Sequence, residues 1–246
     1  MEPERGRSRL VAGLQPVREA IRVHGERLSR VLIDDRALPR LDALARFAVD
    51  RGVGRVERVS RRELDRQSEG AQHQGVLAFA PPLGLVSAEE LLADPGLLGV
   101  ALDGIQDPQN FGAVIRSAVG IAGAAVIWGE HSSAPLSTAT FRASAGAIEH
   151  ARLCRVKSLV GALTGARDAG VQVVGLEARA DRQLGALDLT GPTVLVIGSE
   201  GEGMARAVRR ACSALAQLLP MTHLDSLNAS VASGIALYEA IRQRSR

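Results

Sequence analysis

The sequence predicts an α/β protein in two parts, a small alternating unit over residues 10–80 and a larger parallel-sheet domain over 95–246. Three observations carry this. Short apolar runs alternate with stretches whose apolar residues fall at helical spacing, the pattern of strands joined by crossover helices. Pro81-Pro82-Leu83-Gly84 interrupts that alternation once, and with the acidic stretch that follows it makes a linker of residues 81–94. Hydrophobic residues make up 46% of the chain and aromatics 2%, so the core must be built from Leu, Val, Ile and Ala.

In order, Met1 to Arg9 reads as a disordered basic arm carrying Arg5, Arg7 and Arg9 among Gly and Pro. Pro16 suits the first turn of a helix continuing through Val17, Ala20 and Ile21. A strand over 30–33, a helix over 40–51 ended by Gly52 and Gly54, a strand-like stretch over 53–59 and a short helix over 61–66 follow. Gln72-His73-Gln74-Gly75 leads into a strand over 76–80, and 87–93 reads as a connector helix. The second part gives strands over 97–102, 124–128, 171–176, 193–197 and 215–219. Helices are expected over 111–122, 140–147, 158–169 and 205–211, and from Leu227 onward with Val231, Ile235, Tyr238 and Ile241 at helical spacing. Parallel strands with crossover helices are covered on both faces, and ligands bind at their carboxyl ends.

The net charge of +3 is unevenly placed, since the first 80 residues hold 16 Arg against 12 acids. Lys157 is the only lysine, and Arg suits bidentate phosphate contact, so nucleic acid is a permitted partner. A G+C-rich genome would favour Arg codons as well. His73 and Gln74, at a strand start, are candidate donors to RNA phosphate or sugar. No apolar run reaches the roughly 18 residues of a membrane helix. The charged amino terminus has no signal segment, so a cytoplasmic protein is expected. Cys154 and Cys212 are far apart, and neither they nor the five histidines show metal-ligand spacing.

Three loops fall at strand ends. The first, Asp103 to Ala118, contains Asn110, placed to cap a helix, and Arg116 inside that helix. The second, Ile197-Gly198-Ser199-Glu200-Gly201-Glu202-Gly203-Met204, is glycine-rich but has no dinucleotide or P-loop fingerprint. Its two carboxylates disfavour phosphate and suit a ligand with a positive centre, or one bound through adenine and ribose. The third is Leu219-Pro220-Met221-Thr222-His223-Leu224-Asp225-Ser226-Leu227-Asn228, where Ser226 or Asn228 can serve as N-cap of the last helix. No Ser-His-Asp or Cys-His pairing is evident.

In this order the three loops resemble the three signature motifs of the SpoU family of RNA 2′-O-ribose methyltransferases, within the knotted SPOUT superfamily. Gly13-Leu14-Gln15-Pro16-Val17-Arg18-Glu19-Ala20 and His73-Gln74-Gly75-Val76 resemble the ribosomal-protein-like substrate domain of the bacterial enzymes that methylate a guanosine of 23S rRNA. The resemblance implies a carboxyl-terminal trefoil knot, an exception to the rule that chains do not thread loops. It implies S-adenosylmethionine as cofactor, held against Gly198, Glu200, Leu219, Met221, Leu227 and Asn228. It implies RNA, large-subunit rRNA above all, as partner, and a homodimer through the knot region, which would give the small-residue face of the last helix its neighbour. Arg116 is then the candidate base for the ribose hydroxyl, with Asn110, Glu200, Ser226 and Asn228 positioning that Arg, the sugar or the donor. His223-Leu224-Asp225 and Ala229 depart from the family's usual third motif, while Ser226-Leu227-Asn228 is intact.

The expected reaction is direct transfer of a methyl group to a 2′-hydroxyl, helped by proximity and by removal of the hydroxyl proton. Arginine is almost always protonated, so Arg116 acts either as a perturbed base or as an electrostatic stabiliser of the alkoxide. The same chemistry on tRNA or on an antibiotic-target rRNA loop is the nearest alternative. A non-catalytic ribosome-assembly factor is another, disfavoured by the intact Asn110, Arg116, Glu200 and Asn228, and a nucleotide-binding oxidoreductase lacks its fingerprint.

Overall fold

The computed structural model describes residues 8–36, 38–130, 133–134, 136–220 and 226–245. The elements run β1 (Arg9–Ala12), α1 (Leu14–His24), β2 (Arg30–Asp34), α2 (Pro39–Asp50), β3 (Val56–Val59), α3 (Arg61–Gln67) and β4 (Val76–Ala80). Then come α4 (Ala88–Leu92), β5 (Leu98–Asp103), α5 (Pro108–Ser117) with a π-helical extension over Ala118–Ala122, β6 (Ala125–Gly129) and α6 (Thr138–Ala143). The chain finishes with β7 (Leu153–Val156), α7 (Leu159–Asp168), β8 (Gln172–Leu176), β9 (Thr193–Gly198), α8 (Arg206–Ala211), β10 (Ala214–Ala216) and α9 (Ala229–Arg244). Two compact units result. One holds the chain up to Gly84 together with residues 136–150; the other holds 85–135 and 151 onward.

In the first unit, four strands form a mixed sheet in the order β1-β4-β2-β3, with β2 and β3 parallel and the other pairs antiparallel. Alternation along the strands sends Val11, Val31, Ile33, Val76 and Ala78 to a core with α1 and α2, while Ala12, Leu32 and Leu77 face Leu64 of α3. Helix α3 starts where Ser60 Oγ accepts from Glu63 N at 3.3 Å, a Ser-x-x-Glu start. Two short strands escape a reading by pattern. Arg9, expected in a disordered arm, instead opens β1, and β7 is too short and too isolated to show periodicity. Arg5 and Arg7 lie outside the described residues.

In the second unit all six strands are parallel, in the order β10-β8-β9-β5-β6-β7. The central strands are buried along nearly their whole length, as a sheet covered on both faces requires. Ala101, Ile127, Val173 and Val196 meet Leu159 and Leu163 of α7 and Val208 of α8. On the other face, Phe111 of α5 meets Trp128 edge to face, with ring centroids 5.4 Å apart. Helix α9 packs on α5 and on β9. Its buried side is small, Ala229, Ser233, Ala236 and Ala240 with Leu237, so the small-residue face has its neighbour within the chain. The apolar stripe read from the sequence faces outward instead, with Val231, Ile235 and Tyr238 exposed by 49%, 40% and 62%. No helix among the described residues is long and apolar enough to cross a membrane.

Candidate active site at the switch point of the parallel sheet

Strand β5 leads to β6 on one side, whereas β9, its other neighbour, leads through α8 to β10 on the opposite side. Loops leaving these adjacent strands must therefore diverge, and a crevice opens at their carboxyl ends. Asp103 and Gly198 are register partners there. Asp103 Oδ2 accepts from Ala205 N at 2.7 Å, which ties the end of β5 to the start of α8.

The first loop is shaped by Asp107, which accepts from Gln109 N and Asn110 N and caps α5 with Pro108 in the first turn. Asn110 is therefore not the cap, as the sequence reading had it. Freed from that task, its side chain donates from Nδ2 to Glu200 Oε1 at 3.1 Å and accepts through Oδ1 from Asn228 Nδ2 at 2.9 Å. Asn228 Nδ2 also donates to Glu200 Oε1, which takes a longer 3.4 Å bond from Ala229 N. Meanwhile Asn228 Oδ1 caps α9, accepting from Ser230 N at 3.0 Å and Val231 N at 3.3 Å. One residue from each of the three loops thus meets in a single cluster. Glu200 gathers three donors, and a carboxylate so held is fixed in place rather than free to swing.

Beside this cluster is a cavity of about 500 Å³. Its walls come from the ends of β8, β9 and β10 and from the start of α9, including Leu176, Ile197, Gly198, Leu219, Ser226 and Leu227. Gly198 is obligatory. A Cβ at this position would lie 2.2 Å from Gly203 C and 2.3 Å from Met204 N, because the loop folds back across the strand end with reciprocal bonds between Ser199 and Gly203. The lining is a mixture of apolar side chains with Ser199, Ser226 and three carboxylates, Glu177, Glu200 and Glu202, against the guanidinium of Arg209, which donates from Nε to Glu177 at 3.0 Å. An apolar slot with an acidic edge suits a flat heterocycle carrying a cationic group better than a phosphate.

The other expected residues fall as follows. Ser226 is exposed at the cavity edge, and Leu219 and Leu227 line it; Met221 and the variant turn 222–225 lie outside the described residues. Arg116 is exposed, in the last turn of α5 and on a different face from Asn110, without a side-chain partner among the described residues. His73 is buried and engaged at both ring nitrogens, Nδ1 accepting from Gly75 N at 3.0 Å and Nε2 lying 2.9 Å from Asp65. Gln74 accepts from Leu14 N at 3.0 Å. Arg9 is bound to Glu149, with Nη1 donating to Oε1 at 2.8 Å. Asp103, Asp107, Glu177 and Arg209 are additions from the structure. A strand-end Asp followed by Asp-Pro at a helix start would have flagged the first two.

A parallel α/β unit with a polar cluster and a cavity at its switch point belongs to the class of folds that bind ligands at the strand ends, and the chain carries a separate mixed-sheet unit as well. Comparison with known proteins narrows that class. Residues 98–238 match the SpoU rRNA methylase family and residues 10–85 match an RNA 2′-O ribose methyltransferase substrate-binding domain. An uncharacterised tRNA/rRNA methyltransferase of Mycolicibacterium smegmatis is 40% identical over 96% of this chain and 76% of its own length. One from Mycobacterium tuberculosis is 36% identical over 96% and 74%. The SpoU methyltransferase AviRb of Streptomyces viridochromogenes, crystallised with S-adenosylmethionine, superposes with a TM-score of 0.78 at 27% identity, covering 98% of this chain and 92% of that one. An S-adenosylmethionine-bound rRNA methyltransferase of Sinorhizobium meliloti gives 0.76 at 28% identity over 96% and 87%. The chain belongs to the SpoU family and is an S-adenosylmethionine-dependent RNA 2′-O-ribose methyltransferase.

Proposed function

We propose that this enzyme methylates the ribose of a specific guanosine in 23S rRNA, with the cofactor in the cavity bounded by Gly198, Leu219 and Leu227. The observation that carries the site assignment is the cluster of Asn110, Glu200 and Asn228 at the cavity edge. The bound cofactor supplies an electrophilic methyl group next to a positive sulfur. Its heterocycle suits the apolar slot, and the acidic rim suits its charge.

The remaining work falls to this chain's own side chains. Asn110 and Asn228 hold Glu200 through Oε1, and its second carboxylate oxygen, Oε2, without a partner among the described residues, is assigned to a sugar hydroxyl or the donor. Holding the ribose oxygen in line with the methyl carbon supplies most of the rate effect. With the donor bound, the ribose oxygen would take up the methyl group as the sulfonium is released as a neutral thioether, and the hydroxyl proton would pass to water at the open edge of the site. Arg116, exposed and without a side-chain partner among the described residues, is assigned the electrostatic role of stabilising the developing oxyanion.

The outward stripe of Val231, Ile235 and Tyr238 supports a homodimer through α9, since such a patch on one helix face is a usual interaction surface. A knotted path is supported by the position of Asn228 beside the loops after β5 and β9, a short stretch of chain after β10 at the sheet edge. The deciding experiment for the target is transfer of labelled methyl to total RNA from cells lacking the gene, with mapping of the alkali-resistant linkage. One mark at a 23S guanosine is expected. A mark in tRNA, or at another nucleotide, would overturn the target.

A further inference from the structure

Residues 136–150 lie within the stretch that matches the methylase family, yet they belong to the same compact unit as the amino-terminal sheet. What fixes them there is a buried ionic cluster. Glu149, with no exposed side-chain surface, binds Arg9 of β1 and lies 2.8 Å from His24 Nε2 of α1. Arg9 also stands over the Phe141 ring at 5.1 Å, and Gly146, at φ 85°, brings the backbone against Glu19 and Pro16 of α1. The switch-point site uses none of these groups. A buried ion pair is a costly way to gain stability alone, but it fixes geometry well.

The consequence is a second concavity, of about 190 Å³, walled on one side by the loop Glu69 to Gln72 and on the other by Thr138, Ala139 and Arg142 of α6, with Ala12 of β1 also in its lining. The loop is held in an uncommon conformation, with Glu69 at φ 51° and Gly70 at φ 79° in succession. Ser68 Oγ donates to Asp65 O at 2.9 Å and Ala71 N to Ser68 O at 2.9 Å, which pins it. A non-glycine residue held in the left-handed region is strain of the kind found at binding loops. Glu69, Gln72 and Arg142 are exposed, and their side chains have no partner among the described residues. A guanidinium, a carboxylate and an amide thus line one small concavity floored by Ala12, Ala71 and Ala139, without satisfying one another.

Resting on the reading of this chain as an RNA methyltransferase, we propose that this concavity holds one unpaired nucleotide of the RNA substrate, with Arg142 on its phosphate or base and Glu69 and Gln72 on its base edge. The chemistry matches recognition of single-stranded loops, where bases are splayed out and bound on their exposed edges. Substrate selection is then shared between the amino-terminal sequence and a segment of the methylase sequence, which Glu149 keeps in place.

The test uses the full-length enzyme with rRNA extracted from cells lacking the gene as the probe. Arg142→Ala, and separately Ala139→Leu to fill the space, should each raise the KM for that RNA about tenfold, as expected for loss of a good nucleotide contact, and leave kcat and S-adenosylmethionine binding within twofold. Ultraviolet cross-linking of 4-thiouridine-substituted rRNA should also label peptides containing 69–72 or 138–142. Wild-type KM in both variants, or cross-links confined to other peptides, would overturn the proposal. Should the wild-type enzyme transfer no methyl group to any RNA, the functional reading fails separately, and RNA affinity and cross-linking of the same variants still decide the pocket.

Discussion

Asn228 performs two tasks that different substitutions can separate. Its Oδ1 caps α9 through two backbone N–H groups, and its Nδ2 donates to Asn110 and Glu200. Asn228→Ala removes both. Loss of the cap costs about 1 kcal/mol, and the two exposed side-chain bonds together add about 1 kcal/mol more, which lowers the thermal midpoint by roughly 4–8 °C. Asn228→Asp keeps an oxygen for the cap, and its charge favours a helix start. It also replaces the donor with a second carboxylate oxygen facing Glu200. The aspartate variant should therefore lose less than about 1 kcal/mol of stability and yet lose at least about a hundredfold in kcat/KM, equivalent to about 2.7 kcal/mol of transition-state stabilisation. Thermal unfolding followed by circular dichroism reads the first quantity, and methyl transfer to rRNA at varied RNA concentration reads the second. An aspartate variant with wild-type kcat/KM would refute the claim that this amide organises the site. Equal loss of stability in both variants would refute the division of its tasks.

Further outcomes follow from the same geometry. Gly198→Ala should abolish S-adenosylmethionine binding in calorimetry while the protein still folds, because the new methyl would meet backbone at Gly203 and Met204. Arg116→Lys should keep within about tenfold of normal turnover if a positive charge is what matters, and Arg116→Ala should lose about a hundredfold or more; equal turnover in all three proteins would remove Arg116 from the reaction. Glu149→Ala should cost about 3–5 kcal/mol in chemical denaturation, since it strands Arg9 and His24. Arg36 beside the buried Asp34 holds that carboxyl down to about 2, so this pair stabilises the fold at neutral pH and the contribution fades as pH falls from about 5 toward 2. The stability gap between wild type and Asp34→Asn should narrow over that interval, and a constant gap would show that the pair is not the source. The proposed homodimer through α9 predicts that the wild type sediments as a dimer in sedimentation velocity and Ile235→Glu as a monomer; a monomeric wild type would remove the dimer.

Much of this was legible in the residues, for reasons that differ by element. Parallel central strands announce themselves as uninterrupted apolar runs, and the three loops carried enough unusual polarity to be recognised in order. Asn110 was read both as a helix cap and as a positioning residue; the cap reading fails because Asp107-Pro108 is the stronger helix start, which leaves an Asn inside the first turn free for tertiary contacts. The stripe of Val231, Ile235 and Tyr238 was recognised as helical, but its direction was not. Helical spacing identifies a face but not its direction, and here close packing on α5 selects the small residues. The docking of 136–150 on the amino-terminal sheet rests on contacts between residues more than a hundred positions apart, such as Arg9 with Glu149, which no local pattern encodes.

The central claim is that the three loops form one site for transfer of a methyl group to a ribose oxygen. Complete nuclease and phosphatase digestion of RNA labelled by the purified enzyme, followed by chromatography of the nucleosides, tests it most directly. The account predicts all label in a single 2′-O-methylnucleoside, and none when Glu200→Ala replaces the wild type. Label in a base-methylated nucleoside, or undiminished ribose labelling by the Glu200 variant, would contradict it.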